Sequence, residues 1–139
     1  MPIDIKLVDD GLGIIFVCRG TLTGQDFMEA KKALLVSDGT IERLKYGVID
    51  GRAIESTHIE TSDIKAIAEQ DERIAAKAQP GAVVAIVAPR DLDYGIARMW
   101  QVFAERTGWT TMIFRSKPEA EVWIRRQVME NFGIDPTIE

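Results

Sequence analysis

The sequence predicts a single α/β domain over residues 1–139, with a mainly parallel sheet of about five strands, the first of them antiparallel, and about four helices. Two observations carry this prediction. Segments with strand-like alternation or β-branched runs take turns along the chain with segments of helical apolar spacing. One run, Ala82-Val83-Val84-Ala85-Ile86-Val87-Ala88, is apolar without interruption, as in a parallel strand covered on both faces. A length of 139 residues suits one domain around one core.

Ile3, Ile5 and Leu7 alternate with polar residues ahead of Asp9-Asp10-Gly11, a strand and turn that open a hairpin into a second strand over 13–20. Thr23 is placed to cap a first helix. Asp26 suits the positive end of its dipole, and Phe27, Ala30 and Leu34 form its inward stripe up to Asp38-Gly39. Residues 44–50 read as a third strand and 51–60 as loop. Thr61-Ser62-Asp63 then caps a second helix, in which Ile64, Ile67, Ala68, Ile74, Ala75 and Ala78 recur at helical spacing until Gln79-Pro80-Gly81. The apolar run 82–88 belongs in the middle of the sheet, and Pro89 stops it. A third helix from about Asp93 to Thr107 buries Ile96 or Ala97, Trp100, Phe103 and Ala104 and ends on Gly108. Residues 109–115 form the last strand. Ser116 caps a fourth helix, with Pro118 in its first turn, Glu119 completing a capping box, and Ala120, Trp123, Ile124 and Val128 facing inward. The tail beyond Gly133 reads as frayed.

Composition narrows the function classes. With 46% hydrophobic and 28% charged residues the chain is an ordinary folding sequence. Its 22 acidic residues against 17 basic ones give a net charge of -5, and no Lys/Arg run exceeds a pair, so nucleic acid is excluded as a partner. Met1-Pro2-Ile3-Asp4 does not begin a leader, and no apolar run approaches the ~20 residues of a membrane span, which predicts a cytoplasmic protein. Cys18 is the sole cysteine and sits in Ile14-Ile15-Phe16-Val17-Cys18 as a small buried hydrophobe. The sole histidine, His58, rules out a multi-histidine metal site. Gly11-Leu12-Gly13 precedes a strand and lacks the third glycine of a dinucleotide fingerprint, and no cofactor is expected.

Several stretches carry a family resemblance: Val48-Ile49-Asp50 ending a strand, Ile67-Ala68-Glu69 with Asp71 in the next helix, and Val84-Ala85-Ile86-Val87-Ala88. Asp93-Tyr94-Gly95-Ile96-Ala97-Arg98-Met99, Ile113-Phe114-Arg115-Ser116 and Glu119-Ala120-Glu121-Val122-Trp123 complete the set. Through them the chain, from Gly13 to Trp123, resembles the SpoIIAA-like proteins, a bacterial group related in fold to STAS domains and to the lipid-binding CRAL-TRIO fold. The resemblance implies a small regulatory or binding domain rather than an enzyme. In the anti-sigma antagonists of this fold, a serine at the start of the helix after the third strand is phosphorylated and switches partner binding. Thr61 and Ser62 occupy that topological place, within Glu60-Thr61-Ser62-Asp63 where the antagonists carry Asp-Ser-Ser/Thr-Gly.

Ligands of parallel α/β sheets gather beyond the carboxyl ends of the strands. Loops converging there supply Arg52, Ser56, Thr57 and His58 after the third strand, Arg90 and Tyr94 after the fourth, with Arg98 one helical turn further, and Arg115 after the fifth. Brought together, these form a rim of donors and cations suited to a carboxylate or phosphate. The competing reading is that Arg52, Arg90 and Arg115 pair with Asp91, Asp93 and nearby glutamates. Tyr94-Gly95 at the start of the third helix admits a close backbone approach. Asp71 falls on the apolar face of the second helix, where Arg98 or Tyr94 is positioned to satisfy it. No nucleophile and base stand at recognisable spacing, so the expected function is non-enzymatic. The expected partner is a protein or a small amphipathic ligand, and a two-fold homodimer is compatible with the size.

Overall fold

The computed structural model describes residues 2–139. The alternation Ile3, Ile5, Leu7 becomes β1 (Ile3–Val8), which pairs antiparallel with β2 (Gly13–Thr23) from Ile3 opposite Cys18 to Val8 opposite Gly13. Asp9, Asp10 and Gly11 between them all take left-handed backbone, which Asp and Gly tolerate and β-branched residues resist. β2 runs parallel to β3 (Tyr46–His58), β3 to β4 (Val83–Val87) and β4 to β5 (Thr110–Phe114). The five strands therefore lie in the sheet in chain order. The 82–88 run is an interior strand as its composition demands, but the middle position belongs to β3, because only β5 lies beyond β4.

A sheet whose parallel strands advance in one direction, with crossovers of one hand, sends every intervening helix to the same face. α1 (Gly24–Leu35), the single-turn α2 (Thr40–Arg43), α3 (Thr61–Lys77) and α4 (Asp91–Phe103) accordingly pack on one side. Ile14, Phe16 and Cys18 of β2 face them, and the alternate residues Ile15 and Val17 face α5 (Lys117–Phe132), which follows the last strand onto the opposite side. Cys18 is fully buried, and desolvation pushes its thiol up to about 12, which makes it a core residue and not a reactive one. α2 leaves no mark in the sequence, since four residues are too few to display a helical period.

Side chains fix the helix starts. Thr23 and Asp26 form a reciprocal capping box at α1, and the Ser116 side chain accepts from the Glu119 amide at α5. At α3 the cap is Glu60 with Asp63, so of the expected Thr61-Ser62-Asp63 cluster Asp63 caps, and Thr61 and Ser62 are exposed first-turn residues. α4 tightens into a 3₁₀ turn over Ala104–Thr107 and closes on left-handed Gly108.

Residues 51–58 continue β3 instead of forming a loop. Past Asp50 the strand pairs with β2 alone, through two register shifts, so neither of its faces is covered enough to impose an apolar alternation. Gly51 marks the point of departure, since a Cβ there would lie 2.7 Å from the Val87 carbonyl oxygen at the end of β4.

The tail beyond Gly133 is not frayed. Pro136 and Ile138 are buried, and Ile138 joins the core under α5. The latch is Asp9. Its carboxylate accepts from the Thr137 and Ile138 amides at 3.0 and 3.1 Å, from the Thr137 hydroxyl, and from the Tyr46 hydroxyl. Burial raises the Asp9 carboxyl, but the hydrogen bonds from Thr137, Tyr46 and Ile138 outweigh it and hold the group below its ordinary 3.8.

A carboxyl with a depressed folded-state pKa stabilises the fold fully above its unfolded value, and that stabilisation is lost as the pH falls through the folded value. Hydrogen exchange at the Thr137 and Ile138 amides is therefore expected to accelerate below pH 3.8, and to be fast at neutral pH in Asp9→Asn. Ile138→Ala should cost about 2–4 kcal/mol in denaturant unfolding, whereas a detached tail would make it neutral.

Candidate functional site

Where β3 outruns β4, the helices on the first face cannot close completely on the sheet. A cavity of about 90 Å³ remains between β2, β3 and β4 and the helices α1, α3 and α4. Its wall is almost wholly apolar, with Leu22, Ile64, Ile86, Ala97 and Trp100 among the buried contributors. Its half-buried margin is Ile54, Thr57, Ile59 and Ile96. A second cavity of about 50 Å³ lies further along the same face and shares Lys31, Ile49 and Val84 with the first.

Lys31 stands between the two cavities. It lies on the α1 stripe next to Ala30, is only 7% exposed, and places its Nζ 2.8 Å from Asp71 Oδ1 and 4.9 Å from the centre of the Phe16 ring. Asp71, on α3, is completely buried. Its Oδ2 accepts from the Trp100 indole Nε1 of α4 at 2.8 Å. The Lys31 contact lies off the hydrogen-bond direction at Oδ1, so it acts as a charge pair more than as a directed bond. Neither Arg98 nor Tyr94 satisfies Asp71. Arg98 is exposed on the outer side of α4, and the Tyr94 ring stacks under the Arg115 guanidinium, 4.3 Å away.

The start of α4 supplies the polar edge of the cavity. Thr57 of β3 donates its hydroxyl to Asp93 Oδ1 at 2.6 Å, and Arg90 Nε lies 3.7 Å from Asp93 Oδ2. Asp93 is buried and lines the cavity, whereas Arg90 is half-buried just outside it.

The anticipated cationic rim does not assemble as one open anion site. Arg52 turns back on Asp50 through two side-chain bonds of 3.0 and 2.9 Å. Burial raises the Asp50 carboxyl, yet the bonds from Arg52 hold it below the ordinary carboxylate value. Arg115 donates to the Pro89 carbonyl and to Asp91. Ser56 shares a hydrogen bond with Thr21, and His58 is exposed at the end of β3 opposite Thr23. Of the sequence-chosen residues, Thr57 lines the cavity and Arg90 reaches Asp93 beside it. Gly95 is exposed with open space around it, so it serves no close approach. Sequence reasoning passed over Lys31. The signal was present, because Lys31 falls one turn after Phe27 and one turn before Leu34 on the stripe assigned to the core.

No family model and no curated protein matches the chain. Among solved structures it is similar to an uncharacterised protein of the DUF3478 family with a SpoIIAA-like fold from Shewanella loihica PV-4. The TM-score is 0.50 at 20% identity, over 88% of this chain and 91% of that one. The fold is SpoIIAA-like.

Removing one partner of a buried ion pair strands the other charge, and Lys31→Met should destabilise the protein by about 3–5 kcal/mol in urea unfolding. Lys31→Met combined with Asp71→Leu should recover most of that loss. Simple additivity of the two losses would refute the coupling.

Proposed function

We propose that this chain is a non-enzymatic binding module, a carrier or sensor whose ligand is a small, largely apolar molecule held between the sheet and α1, α3 and α4. The observation that carries the reading is the cavity itself. Natural cores pack to few voids, and an apolar void that is kept open forgoes contacts that a larger side chain would supply. Ala97 and Ala88 line it where bulkier residues would close it. Concave, mostly apolar sites with a few placed polar groups are the usual form of a small-molecule site. The volume sets the scale. A dry cavity of ~150 Å³ accepts benzene, so about 90 Å³ suits a body of about four to six non-hydrogen atoms and not an extended acyl chain.

A second reading, a regulatory domain of STAS type that binds a protein partner and is switched by phosphorylation, is favoured by the exposure of Thr61 and Ser62 in the first turn of α3. A phosphate there would meet the positive end of a helix dipole but also the carboxylates of Glu60 and Asp63, which already occupy the cap. The like charges weigh against it, and the cavity reading takes precedence.

Protein isolated from its native host should carry an excess mass under native ionisation that is lost on denaturation. The filling variant Ala97→Leu should remain folded and carry none. A mass excess that survives denaturation and maps to Thr61 or Ser62 would move the reading to the phosphoswitch. A bare chain whose Trp100 indole resonance ignores every member of a fragment set would remove the ligand reading.

A further inference from the structure

Resting on the cavity reading, we infer that the ligand's head is a neutral group that both donates and accepts hydrogen bonds, a hydroxyl or a carboxamide, seated between Asp93 and Arg90 at the start of α4.

Two buried polar groups at the start of α4 are unmet. Asp93 is 7% exposed, and its carboxylate spends Oδ1 on the Thr57 hydroxyl. Its Oδ2 is shut away from solvent and has no hydrogen-bond partner among the described residues. Arg90 Nη1 is likewise buried and unmatched. The guanidinium stands near the carboxylate, but at 3.7 Å from Nε to Oδ2 it is too far for a hydrogen bond. Folded proteins leave few buried polar atoms unmatched, because each forfeits the water it gave up without a replacement. Here an unmatched acceptor belongs to a residue that lines an otherwise apolar cavity, and an unmatched donor belongs to the neighbouring Arg90 just outside it.

A single group with one donor and one acceptor satisfies both atoms. A carboxylate head would set its charge against Asp93, and an ammonium would set its charge against Arg90. The two protein charges cancel, and Lys31 deeper in the wall is already matched by Asp71, so nothing in the site rewards a net charge. The ligand class is therefore small aliphatic alcohols and primary amides, with an apolar body that lies against Leu22, Ile86, Ala97 and Trp100.

The test is an NMR titration of the intact chain, labelled at backbone amides, Trp indoles and Ile methyls, with xenon and with four butyl compounds: 1-butanol, butyramide, butylammonium and butyrate. Xenon probes the cavity without regard to a head group. The expected result is that butanol and butyramide bind about fivefold or more tighter than the two ions, with shifts at the Asp93 amide and the Trp100 indole. Asp93→Ala should erase that preference and leave xenon affinity within about twofold. Arg90→Met, a milder change at a half-buried side chain, should weaken butyramide by about fivefold without disturbing the fold. If xenon binds but the four butyl compounds bind alike, or the ions bind more tightly, the head-group assignment falls and the cavity reading stands. If neither xenon nor any butyl compound binds, the cavity reading falls and takes the assignment with it.

Discussion

Asp71 joins α3 to both α1 and α4 through buried polar contacts, beside the Gln70–Met28 and Lys77–Leu35 hydrogen bonds that link α3 to α1 alone. A carboxylate with no solvent exposure is tolerated only if its charge is matched and its oxygens are engaged. α1 contributes the ammonium of Lys31 and α4 contributes the indole of Trp100, so one buried side chain on α3 holds both neighbouring helices. Apolar packing alone is compatible with small rotations and slides between helices. An ion pair in a water-poor interior is not, because displacement strands a charge. The relative placement of the three helices, and hence the shape of the space beneath them, depends on this contact. It also determines the character of that space. Lys31 borders both cavities on this face, yet its charge is spent on Asp71, so the interior presents no free cation to an incoming molecule.

The second constraint is a mismatch of strand lengths. β4 stops at Val87, and β3 continues to His58 with β2 as its only neighbour. Beyond Gly51 the floor under the helices is two strands wide, and Ile54 and Thr57 stand where a longer β4 would have supplied core side chains. α4 starts on this unfilled side, and Asp93 reaches across to Thr57. The cavity is thus a product of topology. Lengthening β4 would fill it, and shortening β3 would open it to water.

Much of the fold was legible because it rests on local rules. Alternation marks β1, an unbroken apolar run marks β4, and Thr23 with Asp26 and Ser116 with Glu119 mark helix starts. What escaped was whatever depends on partners distant in sequence. The extension of β3 shows no apolar period because no second sheet neighbour imposes one. The tail is fixed by Asp9, 128 residues away, through bonds to Thr137 that no composition rule reveals. The site was half legible. Strand-end position marks Thr57 and Arg90, and helical spacing marks Asp71 as a carboxylate on an apolar face. Its true partner, Lys31, was hidden because a lysine inside a helical stripe is ordinarily read as solvated, with its stem on the core and its charge outside.

The charges around the cavity leave uncommitted polar groups at one place. In a chain with more acidic than basic residues, three of the four arginines of the supposed rim, Arg52, Arg90 and Arg115, stand beside a carboxylate, two of them within three residues in sequence, while Arg98 is exposed on the outer side of α4. Arg52 is closed on Asp50 through two side-chain bonds, and Arg115 is held by Asp91, the Pro89 carbonyl and the Tyr94 ring. Those pairs have little left to offer a ligand. Arg90 and Asp93 differ, because Thr57 holds the other carboxylate oxygen toward β3 and the guanidinium Nε stands 3.7 Å from Oδ2, beyond hydrogen-bond reach. The same hydroxyl that ties α4 to the overhanging strand therefore keeps this ion pair from closing. The overhang of β3 both borders the apolar space and, through Thr57, leaves the Asp93 carboxylate in its wall with an unmatched oxygen.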